Sequence, residues 1–440
     1  MISMKQVKLG VFLLPSGQYV GAWRRASAVA DAPINFAHIS DLVRTCEAAK
    51  LDFVFLADSD GLTRPWTEMG RDPSSLALEP MTLLAALASI TENIGLVGSV
   101  STEFNEPFHV ARKLLSLDQI SGGRAGWNLV TSAWKLAAAN FGQEHLRSHA
   151  DRYERAIEFV EVVKGLWDSI DESGVDFDKA TGEVVDLEKV HVLGYRGRHF
   201  QVEGPLNLPR SPQGHPVIVQ AGSSEPGREL AARTAEVIFT AQSTIDDAKA
   251  FYADVKGRLG KYGRSPDDLK IMPGIFPIVG KTMEEAQTKS RDLAANVDPD
   301  VALSNLSMFT GTDLSGCSLD EKLPDLPETE GHTTRRQMIV DKARQDDLTL
   351  RELFQWFGAA RGHFYVVGTA ETIADQIETW LREEAADGFN LMVPDFPNGL
   401  TEFCDLVVPE LQRRGLFRTE YEGPTLRANL GLQVPANPFL

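Results

Sequence analysis

The sequence predicts an α/β fold, a closed (β/α)8 TIM barrel with insertion segments, and three observations lead there. Short apolar runs alternate with longer amphipathic ones, eight of the short runs can be counted, and polar residues gather directly after them. A doubly wound open sheet fits the same alternation and stays open at this stage. A single domain over residues 1–440 is expected, because α/β barrels exceed the usual domain length.

The elements follow in order. Val7 to Leu14 reads as a buried strand, and Asn35 to Lys50 spaces Phe36, Ile39, Leu42, Val43 and Cys46 at helical intervals. Phe53 to Ala57 is the second strand, followed by a loop with Gly61, Pro65, Gly70 and Pro73. Helix Pro80 to Ile90 leads into strand Ile94 to Ser101. Helix Pro107 to Ile120 closes at Ser121-Gly122-Gly123 before strand Ala125 to Val130. Helix Ala150 to Trp167 recurs at three and four through Tyr153, Ile157, Val160, Lys164 and Trp167. Residues 168–215 form an excursion with an acidic stretch and a hairpin around Gly194 to Gly204. Strands Val217 to Ala221, Val237 to Thr240 and Ile271 to Val279 then alternate with helices Pro226 to Thr234, Ile245 to Tyr262 and Thr282 to Asn296. Residues 297–348 break the pattern with Pro, Gly, Asp and Thr clusters, too long for a plain connection, and read as a lid or substrate loop. Helix Thr369 to Ala386, strand Leu391 to Val393 and helix Thr401 to Arg414 complete the chain.

Charge narrows the function classes. Lys and Arg number 44 against 62 Asp and Glu, a net −18, which excludes a nucleic-acid partner because no basic face is available to displace phosphate counterions. A 43% hydrophobic content with 24% charged residues is globular and supports a large core. No uninterrupted apolar stretch of about 18 residues occurs, so no membrane span is expected. Met4-Lys5-Gln6-Val7-Lys8 enters a strand without a signal-peptide core, so a cytoplasmic location is expected. Cys46, Cys317 and Cys404 are far apart and odd in number; they read as reduced structural residues.

In a barrel, chemistry belongs at the C-terminal strand ends. Those ends read Ala57-Asp58-Ser59, Ser99 to Glu103, Asn128 to Ser132, and Gln220 to Ser224. Hydroxyls, an amide and a carboxylate suit a polyfunctional planar ligand better than a metal, since they offer neutral hydrogen bonds in both directions. Gly222-Ser223-Ser224-Glu225-Pro226-Gly227-Arg228 joins a strand, a turn and a Pro-started helix, which makes an anion site from backbone N–H groups and suits a phosphate; it also reads as a plain Ser N-cap. His145 and His149 stand one helical turn apart but lack the Glu of metalloprotease helices, so no metal site is expected. His38, His109, His199, His215 and His363 have no local partners and read as structural. No nucleophile elbow, P-loop or Rossmann glycine motif occurs.

Eight collinear strings carry a resemblance. They are Phe55 to Asp58, Gly126 to Ser132, Asn140-Phe141-Gly142, His149 to Tyr153, Pro212 to Pro216, Gln220 to Ser224, Asp387 to Asn390, and Val408 to Leu416. Together they resemble the bacterial-luciferase-like flavin monooxygenases, in the branch of nitrilotriacetate monooxygenase component A, dibenzothiophene-sulfone monooxygenase and long-chain alkane monooxygenase. The resemblance spans Val7 to Leu432. It implies a (β/α)8 barrel using FMNH2 supplied by a separate NAD(P)H:flavin reductase, O2 activation through a flavin C4a-hydroperoxide, and oxygenation of a small aminocarboxylate, sulfone or similar xenobiotic. Carried over residue by residue, it implies that Asp58, Thr102 and Asn128 lie beside the flavin and that Tyr153 and Ser224 contact the phosphate. His149 then lies nearby, Ser223 beside Ser224, and Gly222 allows close approach. Asn128 and His149 are the catalytic candidates, and a homo-oligomer, dimer or tetramer, is expected. Where the alkane-oxidising branch has a His, this sequence has Ala133 followed by Trp134, and the second such place falls near Asn305. Attack on an amine, sulfone or activated carbon is therefore expected over alkane hydroxylation, with Trp134 an apolar wall and Arg64, Trp66, Arg361 and His363 available to an anionic substrate. The alternative is a flavin- or deazaflavin-binding barrel acting as a dehydrogenase or a non-oxygenating binding protein.

Overall fold

The computed structural model describes residues 6–63, 65–71, 73–132, 134–295, 297–327 and 333–439. Among the described residues there are eleven strands: β1 (Lys8–Phe12), β2 (Phe53–Leu56), β3 (Gly95–Ser101), β4 (Ala125–Val130), β5 (Tyr195–Arg196), β6 (Gln201–Val202), β7 (Val217–Ala221), β8 (Val237–Thr240), β9 (Lys270–Val279), β10 (Phe364–Gly368) and β11 (Gly388–Leu391). Strands β11, β1, β2, β3, β4, β7, β8 and β9 pair in parallel, and β9 returns to β11, so the eight close a barrel. The open-sheet alternative falls on that closure. The eight strands counted from sequence are the eight of the ring, although the last runs over Gly388–Leu391 and not Leu391 to Val393. Its register starts earlier, where Gly388 pairs with Lys8.

Strand β10 was not expected. Ten-residue β9 pairs with β8 only as far as Pro273, and β10 then takes over the vacated edge, from Phe364 opposite Ile275 to Gly368 opposite Val279. The hairpin expected around Gly194 to Gly204 is β5 with β6.

The helices form the outer layer because each carries one apolar stripe. The helices α1 (Phe36–Ala48), α2 (Pro80–Ala88) and α3 (Pro107–Ser121) cover β1 to β4, and α4 (Lys135–Asn140) sits on the mouth; α5 (His149–Trp167), α6 (Glu225–Thr234), α7 (Ile245–Arg258) and α8 (Met283–Ala295) continue the ring. The stretch 297–348 is no plain loop. It holds α9 (Pro299–Thr310) and α10 (Thr333–Gln345), which with α11 (Leu350–Ala360) enclose a core of their own around Leu306, Phe309, Ile339, Leu353 and Phe357. After α12 (Ala370–Arg382), the helix expected over Thr401 to Arg414 is α13 (Asn398–Glu402), a π turn and α14 (Val408–Arg413). Pro409 cannot donate into a regular ladder, and the π turn absorbs the loss.

The barrel bottom is sealed by α15 (Leu426–Asn429). Leu426 and Leu430 enter the interior against Phe53, Val97, Val217 and Val237, each nearly inaccessible to solvent. Gly95 makes room for this plug, since a Cβ there would lie 2.5 Å from Leu426. Cys46 and Cys404 are buried and unbridged, and Cys317 is a half-buried free thiol. No helix among the described residues is long and apolar enough to cross a membrane.

Candidate active site

With its bottom sealed, the barrel opens only at the C-terminal strand ends. Inside that mouth Phe12, Phe55 and Phe239 form an aromatic floor, with ring centroids 5.1 Å apart for Phe12 and Phe55 and 5.8 Å for each of the pairs with Phe239. Strand alternation points these rings inward, and the residues that follow turn polar.

Above the floor, Asn128 on β4 donates from Nδ2 to Ser99 Oγ on β3 at 2.7 Å. Its Oδ1 is buried and has no hydrogen-bond partner among the described residues. Thr102 is buried beside it and donates to the Val130 carbonyl at 3.3 Å. Asp58 stands at the end of β2, exposed at the rim, where Oδ1 accepts the amides of Ser59 at 2.8 Å and Asp60 at 3.3 Å. Although the residue's outer surface is open, the concave wall still desolvates the carboxyl and raises its pKa, and Glu79 adds to the rise. Asp58, Asp60, Glu79, Ser99 and Asn105 share a cavity of about 350 Å³. A second, larger hollow of about 700 Å³ lies between α9 and the barrel loops, lined by Pro65, Trp134, Leu303, Ser304 and Met308. The stretch read as a lid or substrate loop thus forms one wall of the approach.

The second half of the site is built from two helix starts. Ser148 caps α5 by accepting the Asp151 amide at 3.2 Å, and Ser224 caps α6 by accepting the Gly227 amide at 3.3 Å. The two first turns meet where Tyr153 Oη stands 3.4 Å from Ser224 Oγ, and the His149 ring lies 4.8 Å from that of Tyr153. His149 is exposed, and partial burial followed by the charge of Arg152 lowers its pKa, so its ring is neutral near pH 7. At Gly222 a Cβ would meet nothing nearer than 3.8 Å, which leaves a hollow facing Ser223 and Ser224. Gln220 donates to the Gly227 carbonyl at 3.0 Å while its buried Oε1 has no partner among the described residues. Unsatisfied buried oxygens are uncommon in folded proteins, and two of them at one barrel mouth are free to accept from a ligand or water there.

All eight residues singled out from sequence therefore lie on the mouth, in two groups: Asp58, Thr102 and Asn128 at the strand ends, and His149, Tyr153, Gly222, Ser223 and Ser224 at the two helix starts. The donor set fits an FMN-shaped group. Hydroxyls, amides and two positive helix ends suit a phosphate, and an apolar aromatic floor with an unpartnered amide oxygen suits an isoalloxazine ring. Sequence reasoning missed Asp60 and Phe239; the Asp-Ser-Asp-Gly turn after β2 was the available signal for the first.

Other candidates scatter. Trp66 is an exposed ring, Arg361 reaches the Gln18 carbonyl at 3.5 Å, and His363 stacks on Phe239 at 5.0 Å and 9°. Arg64 and Ala133 lie outside the described residues. Asn305 donates to the Val301 carbonyl of its own helix at 2.8 Å. Two histidines without local partners find distant ones: His215 Nε2 meets Asp168 at 2.7 Å, and His199 lies 3.9 Å from Asp151. Among the described residues the one group of three or more potential metal ligands is Asp151, Glu154 and His199. Arg198 already reaches both carboxylates of that group.

The family model for luciferase-like monooxygenases matches residues 9–388. Nitrilotriacetate monooxygenase component A of Aminobacter aminovorans is 50% identical, with 98% of each chain covered. N-acetyl-S-(2-succino)cysteine monooxygenase of Bacillus subtilis (strain 168) is 47% identical over 99% of this chain and 98% of its own. Among solved structures, riboflavin lyase with modified FMN and riboflavin superposes with a TM-score of 0.86 at 33% identity, over 98% of this chain and 97% of that one.

Proposed function

Since the chain belongs to the luciferase-like monooxygenase family and is a flavin-dependent monooxygenase, we propose that it is the oxygenating component of a two-component system. A separate NAD(P)H:flavin reductase delivers FMNH2, and one atom of O2 goes to a small organic substrate, an aminocarboxylate, sulfone or similar xenobiotic. FMNH2, O2 and substrate yield FMN, oxygenated product and water. The bound reduced flavin supplies the oxygen chemistry at C4a; the chain supplies position, dryness and charge. The name of the Aminobacter relative, a component A acting on nitrilotriacetate, supports both the partner and the substrate class.

The observation that carries the reading is the meeting of the α5 and α6 first turns, with Tyr153 and Ser224 at 3.4 Å beside the hollow at Gly222. There the phosphate is held by Ser223, Ser224 and Tyr153, with His149 alongside. A neutral His149 donates one hydrogen bond to the phosphate. At the strand ends Asp58, Thr102 and Asn128 would hold the ring, and the unpartnered Oδ1 of Asn128 would be free to accept from it. The wall of α9 and Trp134 keeps water from the mouth once substrate fills the groove.

Fluorescence titration with FMN and riboflavin tests this reading. Wild type binds FMN more tightly than riboflavin, and Ser224→Ala weakens FMN at least tenfold, about 1.4 kcal/mol, while leaving riboflavin unchanged. Equal affinities for the two flavins in wild type would refute the phosphate site. Photoreduced FMNH2 and isotopically labelled O2, with no reductase present, should label a sulfone or aminocarboxylate product.

A further inference from the structure

Three loops of the mouth are tied together by a chain of hydrogen bonds that none of the assignments above uses. Ser101 Oγ, at the last residue of β3, accepts the amides of Glu103 at 3.1 Å and Phe104 at 3.4 Å, and it stands 2.7 Å from Ser132 Oγ, after β4. Ser132 Oγ in turn donates to Asp60 Oδ2, after β2, at 3.3 Å. Two of its three members are held in the left-handed region, Asp60 at φ 55° and Ser132 at φ 34°. Such backbone persists only where surrounding contacts over-determine it, and it concentrates at functional sites. Asn140 supplies one such contact, donating to the Asp60 carbonyl at 3.4 Å.

We propose that Asp60 is a ring-positioning residue: Ser132 confines the carboxyl proton to Oδ1 of Asp60, and the neutral carboxyl donates a hydrogen bond to the flavin ring. The inference rests on the reading of the mouth as an FMN site.

The direction of the chain fixes where the proton sits. Ser101 Oγ already accepts two amides, so its own hydrogen goes to Ser132, and the Ser132 hydrogen goes to Oδ2 of Asp60. Oδ2 is thereby an acceptor, which leaves Oδ1 to carry the proton. Burial first, and then the charge of Asp58, push the Asp60 carboxyl up to about 6, against the pull of Ser132. The charged groups facing it among the described residues are Asp58 on its own loop, Glu79 before α2 and Lys113 on α3 across the shared cavity. Glu103 is engaged by Arg147 at 3.0 Å and Arg155 at 3.9 Å. Two neighbouring carboxyls of this kind do not both ionise readily, so one stays neutral where an isolated Asp would not.

The test is riboflavin affinity against pH, read by flavin fluorescence. Riboflavin lacks the phosphate, whose own second ionisation near pH 6 would confuse the profile. For wild type the dissociation constant should rise about tenfold from pH 5 to pH 7. Asp60→Asn keeps a donor and tolerates the left-handed backbone, and it should bind without pH dependence at the wild-type pH 5 affinity. Asp60→Gly also suits that backbone but lacks the donor, and it should bind without pH dependence and weakly. Ser132→Ala loses the bond that favours the charged form, so its inflection moves to higher pH. A flat wild-type profile, or an Asp60→Asn profile that still bends, overturns the inference while leaving the FMN reading intact. If neither FMN nor riboflavin binds wild type at any pH, the site reading itself fails, and this inference with it.

Discussion

The two ends of the barrel spend the same residue types in opposite ways. At the bottom, ion pairs tie the elements together: Arg418 meets Asp52, Arg427 meets Glu236 and donates to the carbonyls of Gln213 and His215, and Arg210 shares Asp168 with His215, although Asp118 Oδ2 and Arg418 Nη1 have no hydrogen-bond partner among the described residues. Arg124 alone donates to four backbone carbonyls and to Thr91. At the mouth Asn128 and Gln220 each keep a buried amide oxygen unsatisfied, Asp60 and Ser132 hold left-handed backbone as Lys50 and Glu384 do at the other end, and the charge of Asp58 raises the Asp60 carboxyl. Paired charges at one end and unpartnered amide oxygens at the other separate holding the barrel together from holding a ligand.

If that division is right, the largest stability losses come from the bottom and leave flavin binding alone. Arg418→Ala strands the Asp52 carboxylate, which desolvation already raises against the pull of Arg418, and should cost about 3 to 5 kcal/mol in urea unfolding at pH 7. The deficit shrinks toward acid pH, because the stranded Asp52 has a folded pKa above its unfolded one and its cost vanishes once protonated. The double variant Asp52→Asn, Arg418→Met should recover most of the loss. Leu426→Ala opens a void under the strands and should cost about 2 to 5 kcal/mol, again with FMN affinity unchanged. Loss of FMN binding in folded Leu426→Ala would break the division.

At the mouth the effects reverse. Asn128→Ala removes a buried oxygen that nothing in the fold satisfies, so stability should stay within about 1 kcal/mol of wild type, while FMN affinity falls at least tenfold. Equal damage to both would make Asn128 a structural residue of β4.

The barrel and much of this site were legible in the sequence because each rests on local pattern. A fully buried parallel strand is a continuous apolar run, and a strand end is where that run stops, so Thr102, Asn128 and Ser224 could be placed by counting. What escaped depends on distance. β10 is five residues with Tyr365 40% exposed, too short and too mixed to stand out. α9 to α11 bury much of their apolar faces against one another, so the turn residues between them dominated the reading. Asp168 and His215 are 47 positions apart, and Asp60 gains its meaning only from Ser132, 72 positions on. No window of sequence contains such a pair.

The smallest expected effect is also the one that joins the two ends of the comparison. Asp60 titrates at about 6 in the folded chain against about 3.8 unfolded, so between those values the folded state holds more protons. Stability therefore falls as pH rises through that window, and the cost persists above it. Asp60→Asn removes the cost. In urea unfolding it should match wild type near pH 4 and exceed it above pH 6, by less than about 1 kcal/mol because the residue is only half-buried and solvent screens it. A gain at alkaline pH accompanied by a lost pH dependence of riboflavin binding would mean that the strain at Asp60 is kept for the ligand. A loss at all pH values would instead place Asp60 with the paired charges of the bottom, as a residue that holds the β2 and β4 loops together.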